Sequence, residues 1–219
     1  NLNLKKTLLA LTVPAVLATA CEQKRPTTET EASTEQPADT TAQASDSTGR
    51  KFLNKPLISE IYTADPSAHV FNGPIYIYPS HDIEAGIPQN DNGDHFAMRD
   101  YHILSMDSIN GKVTDHGVAL DVKDIPWAGR QLWAPDAAYK NGTYYLYFPV
   151  KDKQDIFRIG VATSKSPTGP FKAQPKPIAN SYSMDPAVFT DTDGTSYMYF
   201  GGIWGGQLQR WNKNKYDSA

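Results

Sequence analysis

Short apolar runs separated by polar turns dominate the chain from residue 53 onward. Turn residues bound the runs, which are rich in β-prone side chains and occupy residues 101–106, 118–122, 157–163 and 171–173. Runs of this length and composition predict β-strands, and no long segment here has the 3.6-residue period of a helix. The pattern predicts an all-β domain over residues 53–219.

Three segments of this domain repeat one order of residues. Residues 65–78, 136–147 and 185–199 each begin with an aspartate, continue as a short strand, reach an Asn-Gly or Asp-Gly pair and end in Tyr-x-Tyr. Such pairs tolerate the positive φ of tight hairpin turns, so each segment predicts an antiparallel hairpin. Repeated sheets about 50 to 70 residues apart favour the blades of a propeller over a sandwich.

The repeated aspartates are candidate site residues. The innermost strand of each blade lines the axis of a propeller, so one aspartate per blade entry places Asp65, Asp136 and Asp185 at one end of that axis. Carboxylates that crowd together shift each other's pKa values. The alternative is a structural role, because aspartate also caps turns.

Residues 1–21 have the pattern of an export signal. Two lysines precede an apolar run over residues 8–17, too short to span a bilayer, and small residues lead to Cys21. This pattern resembles a bacterial lipobox, and it predicts a lipid anchor at Cys21 and a place in the cell envelope, in the outer membrane or facing the periplasm. An ordinary signal peptide with an incidental cysteine is the alternative. Residues 22–52, rich in Thr, Ser, Glu, Gln and Pro, predict a disordered tether.

Charge and aromatic content narrow the partners. The formal net charge is −3, which gives no indication of a strongly basic surface. We therefore expect no nucleic acid as a partner. Aromatic residues make up 11% of the chain. This content is typical of a β-rich domain or a sugar-binding surface.

The repeated segments resemble glycoside hydrolase family 43. Its first three blade motifs are similar to residues 63–71 with 78–82, to 133–136 and to 183–189, and its β-xylosidase and α-L-arabinofuranosidase subgroup is similar to residues 124–133 and 201–210. The resemblance covers about residues 55–215. It implies a five-bladed β-propeller, of which this chain has about the first two and a half blades, that cleaves xylan- or arabinan-derived oligosaccharides from plant cell walls with inversion.

The resemblance also implies roles for the three aspartates. Inverting hydrolysis uses a carboxylate base and a carboxylic acid roughly 6.5 to 9.5 Å apart. By resemblance Asp65 is the base, and Asp185 raises the pKa of the acid and orients it. Asp136 either lines the site or braces the second blade.

Four further residues are candidates for substrate binding. Trp133 and Trp204 face the sugar or pack in the core, and His69 and Arg158 hydrogen-bond the sugar or have a structural role. The five histidines of the chain show no metal-ligand spacing. We therefore expect no metal and no cofactor, although a structural cation at the propeller axis is compatible with a longer parent.

The general acid has no candidate here. The acid of the family is a glutamate of the fourth-blade region, and the last glutamate of the sequence is Glu84. Repeat starts at 65, 136 and 185 imply that five blades need roughly 300 residues, whereas residues 55–219 provide 165. We expect a truncated, inactive chain of an active parent. The alternative is a surface-anchored, non-catalytic carbohydrate-binding propeller, which would not need Asp65 and Asp185 together.

Overall fold

The structure is a computed structural model that describes residues 55–91, 93–201, 211–212 and 215–216. The predicted signal with Cys21, the tether and Trp204 lie outside the described residues. Within them the regular secondary structure is all strand, apart from a single 3₁₀ turn at Val122–Asp124. The strands are β1 (Tyr62–Val70), β2 (Ile75–Asp82), β3 (Asp100–Met106), β4 (Thr114–Asp121), β5 (Ala128–Arg130), β6 (Asp136–Lys140), β7 (Thr143–Asp152), β8 (Phe157–Ser164), β9 (Lys172–Ala173), β10 (Met184–Thr190), β11 (Ser196–Gly201), β12 (Trp211–Asn212) and β13 (Lys215–Tyr216).

The first blade is a four-stranded antiparallel sheet in the order β1-β2-β3-β4. Asn72 and Gly73 connect β1 to β2 with φ angles of 56° and 111°. Both residues are left-handed, as a two-residue hairpin turn requires. The longer connection from β2 to β3, residues 83–99, crosses one end of the sheet and contributes to the site described below.

The second blade is a five-stranded sheet in which β7 is central. Its order is β5-β7-β8-β9. Strand β6 also pairs with β7, along residues 143–147, whereas β5 pairs with the end of β7 at Lys151 and Asp152. The turn from β6 to β7 again uses a left-handed Asn-Gly pair, Asn141 and Gly142, with φ angles of 51° and 72°. This repetition confirms the hairpins predicted for the first two repeats.

The third hairpin, β10 with β11, closes differently. The Asp191 amide donates to the Thr195 carbonyl at 2.8 Å, which leaves three residues in the loop. Of these, Gly194 has a positive φ of 83°. This is the three-residue loop with a left-handed glycine, so the same Asp-Gly signal produced a hairpin one residue wider.

The main core lies between the first two blades. Both sheets contribute large buried side chains, among them Tyr78, Tyr101, Leu132, Leu146 and Phe148, each fully buried. The Tyr78 hydroxyl also donates to the Pro167 carbonyl at 2.8 Å, so the blades are joined by a hydrogen bond as well as by apolar packing.

The innermost strands are neighbours across the blades, since β6 contacts β1 on one side and β10 on the other. This arrangement is that of successive propeller blades around an axis. None of the described residues forms a helix long and apolar enough to cross a membrane.

The predicted strands agree with the structure except at their ends. Strand β4 begins at Thr114, four residues before the predicted start at 118. Its first three residues are exposed and polar. An apolar run could not reveal them, because their pairing with β3 depends on backbone hydrogen bonds alone.

Candidate active site

Asp65 and Asp185 occupy matching positions on the innermost strands of the first and third blades. On β1 the pairing with β2 shifts between Ala64 and Ser67, and on β10 the pairing with β11 shifts between Met184 and Ala187. In each case an aspartate and the following proline oppose a single residue of the partner strand, which defines a β-bulge. The sequence predicted aspartates before the strands, whereas the structure places them within the strands.

Both aspartates have left-handed backbones. The φ angles are 46° at Asp65 and 54° at Asp185. A left-handed residue is uncommon, and the α region is further disfavoured before a proline. Bulges next to active sites turn a side chain out of its regular alternation, and strained backbone concentrates at functional sites.

The two carboxylates line one cleft. The cavity has a volume of about 470 Å³, and its walls come from the first three blades. Its lining residues are Ala64, Asp65, Asp82, Phe96, Met98, Trp133, Ala134, Met184 and Asp185. The cleft therefore combines three carboxylates with an apolar floor.

The electrostatics of the cleft raise the pKa of Asp185. Partial desolvation by the cleft walls, and then the negative charge of Asp65, raise the pKa of the Asp185 carboxyl above its ordinary value. The Asp185 side chain still has access to solvent. Burial and a like charge both disfavour the ionised form, which is the usual environment of carboxylates that handle protons.

Trp133 forms the floor of the cleft and is also part of a small core. Its side chain packs against Phe157, with ring centroids 4.4 Å apart, and is 9% exposed. Its indole N–H donates to the Phe96 carbonyl at 2.9 Å. The two roles predicted as alternatives, sugar-facing and core, are thus both compatible with its position.

Asp136 joins the three blades through its carboxylate. Its Oδ1 lies 2.7 Å from His69 Nε2 on β1, and its Oδ2 accepts a hydrogen bond from the Val188 amide on β10 at 2.6 Å. The residue is 7% exposed and is not among those that line the cleft. Of the two roles left open for Asp136, bracing of the blades is the one that this geometry supports.

Two other sequence candidates also lie outside the cleft lining. His69 is held by Asp136, and Arg158 binds the Asp152 carboxylate and lies over the Tyr182 ring at 5.7 Å. Arg158 lines a separate cavity with Trp127. His69 Nε2 and Arg158 Nε are therefore engaged within the fold, and hydrogen bonding of either residue to the sugar stays a prediction.

An ion-pair network fixes the loop that carries one wall of the cleft. Arg130 binds Asp94 at 2.6 Å and Asp155 at 2.7 Å, and the buried Lys151 lies 3.5 Å from Asp94. The hydrogen bond from Arg130 holds the pKa of Asp155 below its usual value. Because Asp94 precedes Phe96 in the β2–β3 connection, the network ties that wall to the second blade.

Sequence reasoning missed the carboxylate of Asp82. It is the last residue of β2 and pairs with Tyr62, three residues before Asp65 on the neighbouring strand. The available signal was the predicted hairpin, because in an antiparallel pair the end of β2 lies beside the start of β1. No repeat marks Asp82, so comparison of the three segments could not find it.

A group of potential metal ligands lies beside the cleft. Among the described residues, His81, Asp100 and His102 bring one nitrogen or oxygen atom each within 4.8 Å of one another. The expectation of no metal-ligating histidines rested on spacing along the chain. Spacing could not detect this group, because its members meet across two strands.

The fold and the cleft define a propeller protein with paired carboxylates over an aromatic floor. The family model for glycosyl hydrolases family 43 matches residues 54–217. Xylosidase/arabinosidase 43A of Humicola insolens is 66% identical over 160 residues, which are 72% of this chain and 49% of that protein. Xylosidase/arabinosidase of Bacteroides ovatus is 61% identical over 73% of this chain and 49% of that protein.

Solved structures give the same result. A family 43 β-xylosidase/α-arabinofuranosidase from a compost microbial metagenome, in complex with xylotriose and calcium-free, is 75% identical with a TM-score of 0.71 over 74% of this chain and 49% of its own. A family 43 enzyme of Xanthomonas citri complexed with xylotriose is 55% identical with a TM-score of 0.68 over 76% of this chain and 48% of its own.

The chain belongs to glycosyl hydrolases family 43. Its described strands form about the first two and a half blades of the five-bladed propeller of that family, as the resemblance implied. The chain spans about half the length of the curated relatives it matches.

Proposed function

We propose that this chain forms the base-bearing half of the active site of an inverting glycoside hydrolase of β-xylosidase/α-L-arabinofuranosidase type. The observation that carries the proposal is the pair of equivalent bulges that direct Asp65 and Asp185 into one cleft. The relatives support the substrate class, since two of them are described as xylosidase/arabinosidase and solved relatives hold xylotriose. The substrate is thus an oligosaccharide derived from xylan or arabinan.

In this mechanism Asp65 acts as the general base. It takes a proton from a water molecule as the water oxygen forms a bond to the anomeric carbon from one face of the sugar. The bond from that carbon to the leaving oxygen breaks on the other face, and a carboxylic acid donates a proton to the leaving group. By the resemblance that acid is a glutamate, and no glutamate is among the residues that line the described cleft.

Asp185 is proposed as a positioning residue for the acid. While it is ionised, Asp185 disfavours ionisation of a further carboxyl beside it, because two negative charges at close range repel each other. The acid would then keep its proton until the leaving oxygen needs it. Trp133 supplies an apolar surface for the C–H face of the sugar.

A non-catalytic sugar-binding propeller explains this cleft less well. Aromatic surface is sufficient to bind a sugar, and such a protein gains nothing from two backbone bulges that bring carboxylates together. The enzymatic proposal therefore accounts for more of the geometry than the binding one.

The test uses the protein with all five blades and two substrates that differ in the leaving group. Asp65→Asn should reduce kcat by at least about 10²-fold on an aryl xyloside and on xylobiose alike, since both need an activated water. Asp185→Asn should impair xylobiose more than the aryl xyloside, because a good leaving group scarcely needs the proton. Equal losses in both variants on both substrates would contradict the assignment of distinct roles.

Azide gives a second check on inversion. If Asp65 is the base of a single displacement, azide that rescues Asp65→Asn attacks the anomeric carbon directly and gives a glycosyl azide of inverted configuration. A glycosyl azide of retained configuration would require a covalent glycosyl-enzyme intermediate and would overturn the inverting mechanism.

We also propose that Cys21 is lipidated and tethers the domain to the cell envelope, at the outer membrane or facing the periplasm. The proposal rests on the small residues before the single cysteine and on the polar composition of residues 22–52. Cys21→Ser should move the protein from the membrane to the soluble fraction of cells. Unchanged membrane association in that variant would refute the anchor.

A further inference from the structure

The cluster of His81, Asp100 and His102 has the donor set of a transition-metal site. Two imidazoles and one carboxylate are ligands that zinc and related divalent metals prefer, whereas calcium prefers oxygen ligands. The side chains are sheltered, with exposures of 18% for His81, 4% for Asp100 and 14% for His102. His81 lies on β2, and Asp100 and His102 lie on β3.

The distances among the ligand atoms are within reach of those around a tetrahedral metal. Asp100 Oδ1 lies 2.6 Å from His81 Nδ1 and 3.8 Å from His102 Nε2. Ligands of a tetrahedral zinc ion lie roughly 3.3 Å apart, because each is about 2.0 to 2.2 Å from the metal. The two observed distances bracket this value, and the third pair of ligand atoms lies within 4.8 Å, so binding of the ion requires side-chain shifts of at most about 1.5 Å.

The outer contacts orient the ligands as metal sites require. His102 Nδ1 lies 2.9 Å from Asp115 Oδ2, which favours the tautomer with a proton on Nδ1 and a free lone pair on Nε2 facing Asp100. Metal-bound histidines usually donate their other N–H to a carboxylate in this way. Arg99 lies 3.4 Å from the second carboxylate oxygen of Asp100, which leaves Oδ1 for the metal.

The strand register explains why these residues meet. Ile75 pairs with Met106 and Ile77 with Leu104, so the same register continued along β2 and β3 sets His81 opposite Asp100. His102 is two residues further along β3 and therefore on the same face of the sheet as Asp100. The group is thus positioned by the first blade itself, independently of the cleft residues.

We propose that His81, Asp100 and His102 form a binding site for a divalent transition metal of the zinc class, with water as the remaining ligand. The metal replaces the proton shared between His81 and Asp100 and fixes the ends of β2 and β3. Since Asp82 follows His81 and lines the cleft, the bound ion also stiffens that wall. This site is separate from the glycosidase chemistry proposed above and does not depend on it.

Calorimetric titration of the metal-free protein with zinc sulfate tests the site. A Cys21→Ser background removes the competing thiol, and one equivalent should bind. His81→Gln and His102→Gln should each weaken binding by at least about 10²-fold, and Asp115→Asn by about 10-fold, as expected for a ligand and for its orienting partner. His116→Gln is the matched control, because this exposed histidine contacts Ser105 outside the cluster. The affinity of this variant for zinc should equal that of the parent protein.

If a variant does not fold, NMR of the protein with all three ligand residues intact tests the site instead. Zinc should shift the imidazole NMR resonances of two of the five histidines, and calcium should leave those two unchanged. Absence of one-equivalent binding, or equal affinity in His102→Gln and His116→Gln, would overturn the proposal. So would zinc-induced shifts confined to other histidines.

Discussion

Replacement of Asp136 by alanine should destabilise the protein far more than loss of a surface carboxylate. The change removes two hydrogen bonds to a buried charged group, at 2.7 Å from His69 and 2.6 Å from the Val188 amide. Hydrogen bonds to charged groups contribute about 1.5–3 kcal/mol each, but His69 is partly exposed and regains water. We therefore expect a loss of about 3 kcal/mol and a decrease in melting temperature of roughly 6–12 °C.

Thermal and urea unfolding, followed by near-ultraviolet circular dichroism, measure this loss. Asp136→Asn keeps one acceptor and should lose about half as much, and Asp107→Ala, at an exposed bend, should change the free energy of unfolding by less than about 0.5 kcal/mol. A double-mutant cycle with His69→Ala should give a coupling of about 1–2 kcal/mol. If Asp136→Ala is no more destabilising than Asp107→Ala, the carboxylate does not join the blades.

Three further changes test the cleft and the core. Asp65→Asn should lower the pKa of Asp185 by less than half of its upward shift, because burial is the larger cause of the shift and is unchanged in the variant. A carbon-13 NMR titration of the Asp185 carboxyl measures this pKa, and its full return to the ordinary value would contradict the burial effect. Gly93→Ala should cost at least about 1–2 kcal/mol for its positive φ of 65°, and its Cβ, 2.7 Å from a Trp133 ring carbon, should alter the near-ultraviolet spectrum; an unchanged spectrum would show that the ring does not rest on this loop. Gly160→Ala puts a Cβ into the Phe148 ring of β7 and should lower the free energy of unfolding, measured in urea, by about 1–3 kcal/mol, whereas an unchanged free energy would mean that the core there is loosely packed.

The sequence was sufficient to predict the strands and the hairpins because their determinants are local. Asn72-Gly73 and Asn141-Gly142 adopt the left-handed pair that their residue types favour, and apolar runs mark the strands they connect. The repeat of these local signals also predicted the propeller. Each hairpin is encoded by neighbouring residues alone, and the propeller needed only the recurrence of that local signal along the chain.

The cleft could be predicted only in part, because its remaining members meet through register. Asp82 reaches the cleft since β2 returns antiparallel to β1, and Phe96 does so through a connection held by the Arg130 ion pairs. The cluster of His81 and Asp100 likewise depends on which residues of β2 and β3 face each other. Neither residue spacing nor composition encodes these pairings in a form that could be read from one sequence.

One local difference among the three repeats does separate their roles. Proline follows Asp65 and Asp185, whereas Ala137 follows Asp136. Proline has no N–H to donate, so a bulge that takes it out of the ladder loses no hydrogen bond. Ala137 keeps its regular pairing with Leu146 and is nearly fully buried.

The bulge decides where each carboxylate points. With the extra residue, Asp65 and Asp185 leave the regular alternation of the strand and reach the cleft; without it, Asp136 stays in register, and its carboxylate lies between the blades, bound to His69 and Val188. The dipeptide Asp-Pro at the start of a repeat therefore favours a chemical role, and Asp-Ala favours a structural one. The same aspartate in the same repeat serves either purpose, and the residue after it selects between them.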